Sequence, residues 1–213
     1  MNQVIPAYTS RQPITRPAEN LALSLSLTSS PPPLHKVITI MTFDPIRFIP
    51  KARRDTILAL PVKSFVTTPH AQNAGTNHWC FYLSTPDSPI QLDCLPSYSI
   101  PSTVLKNGSK ANVVISELDC LPKMQAPFVL HVNPEKSPTV KDILDMLVQC
   151  GRHKYEFDAN GMGCRSWVTN QIDLFYIKGV VLDRERVDGV KEAIGKLWPE
   201  GTVLELDQGA YYE

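Results

Sequence analysis

Asn77-His78-Trp79-Cys80-Phe81-Tyr82-Leu83 runs seven residues without glycine or proline, and its side chains sort into two sets at period two. That is the signature of a β-strand. Alternation sends Trp79, Phe81 and Leu83 to one face and His78, Cys80 and Tyr82 to the other. The first set is bulky and apolar and belongs against a core. The second carries an imidazole, a thiol and a phenol. Ser84-Thr85-Pro86-Asp87-Ser88-Pro89 is a turn-rich link of hairpin length, so Ile90 to Cys94 reads as an antiparallel neighbour, with Gln91 and Asp93 sharing one face. A polar residue of this second strand can therefore lie beside His78.

The same periodicities extend the fold in both directions. Thr56 through Val66 reads as a first strand despite Pro61, and Ala111–Leu118 and Phe128–Val132 read as further strands. Ser137-Pro138 supplies an N-cap and a first-turn proline for a helix whose core face is Val140, Ile143, Leu144, Leu147 and Val148, closed by Gly151. Lys154–Phe157 is a short extended piece. It leads into Asn160-Gly161-Met162-Gly163-Cys164-Arg165-Ser166-Trp167-Val168, a glycine turn that delivers a cysteine onto a helix. On that helix Cys164, Trp167, Val168, Ile172 and Phe175 form one stripe, and Gly179 ends it. A last helix from Glu185 to Trp198 follows an Asp183 cap, and Thr202–Leu206 reads as a closing strand. These elements predict one α+β domain over residues 38–213, an antiparallel sheet packed by two or three helices. Residues 1–37, rich in proline and serine, read as a disordered leader.

Composition narrows the functional classes. The 213 residues carry 21 basic and 21 acidic side chains, so net charge does not direct the chain to nucleic acid or to an anionic membrane. A membrane span needs about 20 consecutive apolar residues. The nearest approach, Leu21–Leu27, is short and broken by serines, so no transmembrane segment is expected. Five cysteines, an odd number without a CxxC pair, fit neither a disulfide framework nor a zinc knuckle and favour a reducing, cytoplasmic compartment. A mitochondrial leader is the alternative, since Glu19 is the only acid before Asp44.

Chemistry concentrates on two residues. A thiol at the first turn of a helix meets the positive end of the backbone dipole and several unpaired N–H groups, so Cys164 is a candidate nucleophile. His78 is a candidate base. Asp93 or Gln91 could fix its tautomer, Asp93 adding charge and Gln91 only orientation. The N–H groups around Gly163 and Arg165 could hold an oxyanion, and the Arg165 side chain could meet an acidic substrate group, although an exposed arginine at a helix start is the better account of it. The competing account of Cys164 is a small hydrophobe continuing the stripe of Trp167 and Val168. A metal site built from His78, Cys80 and Cys94 requires the second strand to bulge, because Cys94 alternates away from Gln91 and Asp93. No metal or cofactor is expected.

The order of strand with Asn77-His78-Trp79, strand with Leu92-Asp93, and the run Tyr155-x-Phe157-x-x-Asn160-Gly161-x-Gly163-Cys164-Arg165-x-Trp167-Val168 resembles an uncharacterised family of fungal domains. More remotely it is similar to the circularly permuted papain-like hydrolases, including the lecithin:retinol acyltransferase and NlpC/P60-like groups, in which the histidine strand precedes the cysteine helix. That resemblance implies Cys164 as nucleophile, His78 as base, and Asp93 or Gln91 as the third polar group. It implies a thiol-dependent hydrolase or acyltransferase acting on an amide, ester or thioester. The alternative is a non-catalytic module on the same scaffold that binds a protein partner.

Overall fold

The computed structural model describes residues 43–72, 75–124 and 126–213. The leader, and the domain boundary expected near residue 38, lie outside the described residues. The first strand, β1 (Ile46–Ile49), leads through a short 3-10 turn into α1 (Arg54–Ala59). The strand expected over Thr56–Val66 is thus a helix in its first half. A short apolar run such as Thr56–Leu60 satisfies either period, and here Ile57 is the residue it buries, with α1 lying against α2 (Val140–Gln149). The strand proper, β2 (Ser64–Ala71), begins only after Pro61.

Next come β3 (Asn77–Ser84), β4 (Ile90–Pro101), β5 (Ser109–Glu117) and β6 (Phe128–His131), each overlapping its predicted span. Helix α2 starts later than the Ser137-Pro138 signal suggests. Thr139 is the N-cap: its hydroxyl accepts from the Asp142 N–H while the Asp142 carboxylate accepts from the Thr139 N–H, a reciprocal capping box. Beyond β7 (Tyr155–Phe157) lie α3 (Cys164–Ile177) and α4 (Arg184–Ile194), the latter capped by Asp183 as expected. Helix α4 stops at Gly195, short of Trp198, because Lys196–Leu197 (β8) turns back to pair with Thr202–Val203 (β9). The closing strand of the main sheet is β10 (Gly209–Tyr211), not Thr202–Leu206.

The main sheet has eight strands in the order β10-β7-β5-β4-β3-β2-β6, with β1 joining β5 in parallel and every other pairing antiparallel. With its helices this is an α+β fold. Pro69 is tolerated inside β2 because β6 pairs only with Ser64–Thr67, so the side of Pro69 that lacks an N–H faces no ladder. One sheet face is the core: Trp79, Phe81 and Leu83 of β3 and Ile90, Leu92 and Cys94 of β4 pack with Trp167, Val168, Ile172 and Phe175 of α3. Phe175 stacks on Phe65 at 4.4 Å between centroids and meets Phe81 at 5.6 Å. The β3–β4 ladder matters most for function. It contains only Leu83–Ile90, Tyr82–Gln91 and Phe81–Leu92, so towards Asn77 and Asp93 the two strands lose their backbone pairing.

Candidate functional site

Where that ladder stops, a side-chain bridge replaces it. His78 Nε2 lies 2.9 Å and 3.0 Å from the two carboxylate oxygens of Asp93. Nε2–H donates to the carboxylate, which leaves Nδ1 as the nitrogen able to take up a proton. Gln91, one alternation back on β4, donates from Nε2 to Asp93 at 3.3 Å and to the Cys80 thiol at 3.5 Å. The choice between Asp93 and Gln91 therefore resolves by position: Asp93 touches the imidazole, and Gln91 braces Asp93.

Helix α3 packs against β3 and β4, and its first residue lies beside the Asn77 end of β3. Gly163 precedes the helix at φ 150°, a conformation that disfavours a side chain. A Cβ there would also stand 3.1 Å from the Phe157 ring. The Gly163 carbonyl accepts from the Tyr155 hydroxyl at 2.9 Å, which fixes the entry to the helix. Cys164 follows, 6% exposed, with its thiol 4.0 Å from the Asn77 carbonyl. The Cys80 thiol lies within 4.8 Å of a His78 ring nitrogen. Burial alone would depress the pKa of that imidazole, but hydrogen bonds with Asp93, Cys164 and Cys80, and the charge of Asp93, hold it well above the ordinary 6.5. A raised imidazole pKa favours the protonated ring.

Arg165 behaves differently from either expectation. It is fully buried rather than exposed, and its guanidinium faces the chain's own C-terminal segment. It donates to the Leu204 carbonyl at 3.2 and 3.3 Å, to the Glu205 carbonyl, and to Asp207 at 3.3 Å. Burial pushes the Asp207 carboxyl up and Arg165 pulls it part of the way back. Arg165 is thus a clamp on residues 204–207. Asn77 clamps the neighbouring hairpin, its side chain exchanging two hydrogen bonds with the Trp198 backbone at 2.7 and 3.0 Å.

The sheet face that carries His78 holds more chemistry than the sequence suggests. His70 of β2 stands directly opposite His78 in register, its Nε2 3.0 Å from the Tyr82 hydroxyl and 3.8 Å from the Cys80 thiol. Burial, with the charge of His78, lowers the His70 pKa, so this imidazole is neutral. Burial raises both the Cys80 thiol and the Tyr82 phenol. Val66, Leu118, Met124 and Val129 pack around Cys80 and Tyr82. His70 could have been found by continuing β2 past Pro69, since the register then sets it beside His78. Cys94, by contrast, points into the core with Leu92, as parity requires.

The family model described as Domain of unknown function (DUF7770) matches residues 63–212, which include every residue of this site. The chain belongs to the DUF7770 family. The match begins just before β2 and ends just after β10, so it spans β2 to β10 and α2 to α4 and leaves out β1 and α1. No curated protein and no solved structure matches the chain. Among the described residues, no helix is long and apolar enough to cross a membrane.

Proposed function

We propose that this DUF7770 domain is a thiol-dependent hydrolase or acyltransferase. The observation that carries the reading is the bidentate grip of Asp93 on His78 beside a helix-start thiol. In the proposed cycle His78 takes the proton of Cys164, and the sulfur attacks an amide, ester or thioester carbonyl. His78 then returns the proton to the departing amine, alcohol or thiol. Water or an acceptor nucleophile cleaves the acyl-thioester in a second pass through the same base. The Cys164 N–H at the helix start is the nearest backbone donor for the developing oxyanion. Supporting the reading further, the elements run histidine strand, carboxylate strand, cysteine helix, the order of the permuted papain-like hydrolases. Five free thiols suit a reducing compartment such as the cytoplasm.

A second reading has its own observation. Cys164 is 6% exposed and packs within the hydrophobic core, as expected of a non-catalytic module that uses Cys164 as packing and binds a protein partner. Acyl trapping separates the two. Incubation with a panel of activated esters and thioesters, read by intact mass and peptide mapping, should place one acyl group on Cys164. Cys164→Ala should abolish the adduct, and His78→Ala should slow its formation by about a hundredfold, the usual scale of general-base assistance. No adduct, or equal rates with and without His78, would leave the binding module.

A further inference from the structure

The His78–Asp93 pair belongs to a larger donor set, the rest of which the proposed thiol chemistry does not use. A ring nitrogen of His78, the Cys80 sulfur and a carboxylate oxygen of Asp93 all lie within 4.8 Å of one another. The three residues come from two adjacent strands and share one buried face. Parity turns Cys94 into the core, and Asp93 fills the place that Cys94 cannot. On the other flank His70 Nε2 sits 3.8 Å from the Cys80 sulfur. That separation is close to the edge of a tetrahedron built from metal bonds of about 2.0 Å to nitrogen and 2.3 Å to sulfur.

Two surrounding features fit a cation better than an ordinary core. The Gln91 side chain touches both Cys80 and Asp93, so two of the ligands already have an outer partner that fixes their direction. Thr68, opposite Cys80 in register, keeps its hydroxyl buried with no hydrogen-bond partner in the protein. Buried hydroxyls are rarely left so. This one gives the cluster a polar wall.

We propose that His78, Cys80 and Asp93, with His70 as the fourth ligand, bind a zinc-class divalent cation. Imidazole, thiolate and a single carboxylate select a borderline-soft metal over magnesium or calcium, which require oxygen shells. Binding releases the proton of the Cys80 thiol, which becomes thiolate, and the extra proton of the charged His78 imidazole to solvent, and His70 must exchange its contact with the Tyr82 hydroxyl for the metal. The site needs nothing from Cys164. It does occupy the imidazole and carboxylate of the proposed nucleophile pair, so the metal holds that pair inactive.

Titration of the reduced, chelator-treated full chain with cobalt(II) tests this, because a thiolate-bound tetrahedral cobalt gives a sulfur-to-metal charge-transfer band and intense visible bands. The expected result is one equivalent of cobalt, displaced by zinc. Cys80→Ser should lose the charge-transfer band, and His70→Gln should weaken binding by at least about tenfold. Cys164→Ala should keep the full spectrum, which makes the outcome independent of whether Cys164 is a nucleophile. Should Cys80→Ser fail to fold by circular dichroism, Asp93→Asn carries the test, with an affinity loss of at least about tenfold expected. Absence of the charge-transfer band in the wild-type chain, its loss in Cys164→Ala, or an unchanged affinity in Asp93→Asn would overturn the proposal.

Discussion

The two faces of β3 are both largely buried, yet they are buried in different ways. Trp79, Phe81 and Leu83 lie against α3 and the aromatic cluster of Phe65 and Phe175, where contact with any well-shaped apolar surface is favourable. Cys80 and Tyr82, with His78 half-covered beside them, face groups that must be matched donor to acceptor. A buried polar group without a partner costs roughly 1–3 kcal/mol, so this face holds only while its chain of contacts is complete. One face stabilises the fold, and the other keeps an imidazole, a thiol and a carboxylate in register at some cost in stability. That division is what an active or binding site on a rigid sheet requires.

The largest effect should come from breaking the packed face. Trp79→Ala, at a fully buried position, should destabilise the domain by about 3–5 kcal/mol, read as a lower urea midpoint with an unchanged slope. A cost within about 0.5 kcal/mol, the range of ordinary surface changes, would mean that this face does not carry the fold.

Asp93→Asn is the smaller perturbation and sharpens the comparison through its pH dependence. The His78 pKa is raised in the folded state, so the stability it contributes is complete below its unfolded value of about 6.5 and is lost as pH rises through the higher native value. Losing a hydrogen bond to a charged group costs about 1.5–3 kcal/mol. The gap between wild type and Asp93→Asn should therefore be of that size near pH 6 and narrow steadily towards pH 9. Urea melts giving the same gap throughout would show that the pair is not held as an ion pair.

Much of this division can be read in the chain itself. Alternation from Asn77 to Leu83 assigns both faces, and the Gln91/Asp93 parity brings a carboxylate to His78 and sends Cys94 to the core. Helix caps at Asp183 and the stripe from Cys164 to Phe175 are equally local. What escapes is non-local. Arg165 reads as exposed because its partners, the carbonyls of Leu204 and Glu205 and the Asp207 carboxylate, lie some 40 residues away and belong to no periodic element. His70 stays hidden behind Pro69, which argues against a strand until β6 is known to end at its pairing with Thr67. Thr56–Leu60 carries both periods at once, and only its contact with α2 decides for a helix. The Thr139–Asp142 capping box was legible, but the Ser137-Pro138 pair two residues earlier imitates a helix start; Ser137 instead adopts φ 36° in the turn before it.

The most direct measurement is the rate of Cys164 alkylation in the folded, metal-free protein, followed by peptide mass spectrometry from pH 5.5 to 9 in the wild type and in His78→Ala. An activated thiol should react readily near neutral pH, and its rate should fall by about a hundredfold without the imidazole, the scale of assistance by a positioned base. A Cys164 that resists alkylation while the fold is intact, or that reacts identically with and without His78, would contradict the account and return the residue to the core stripe of α3.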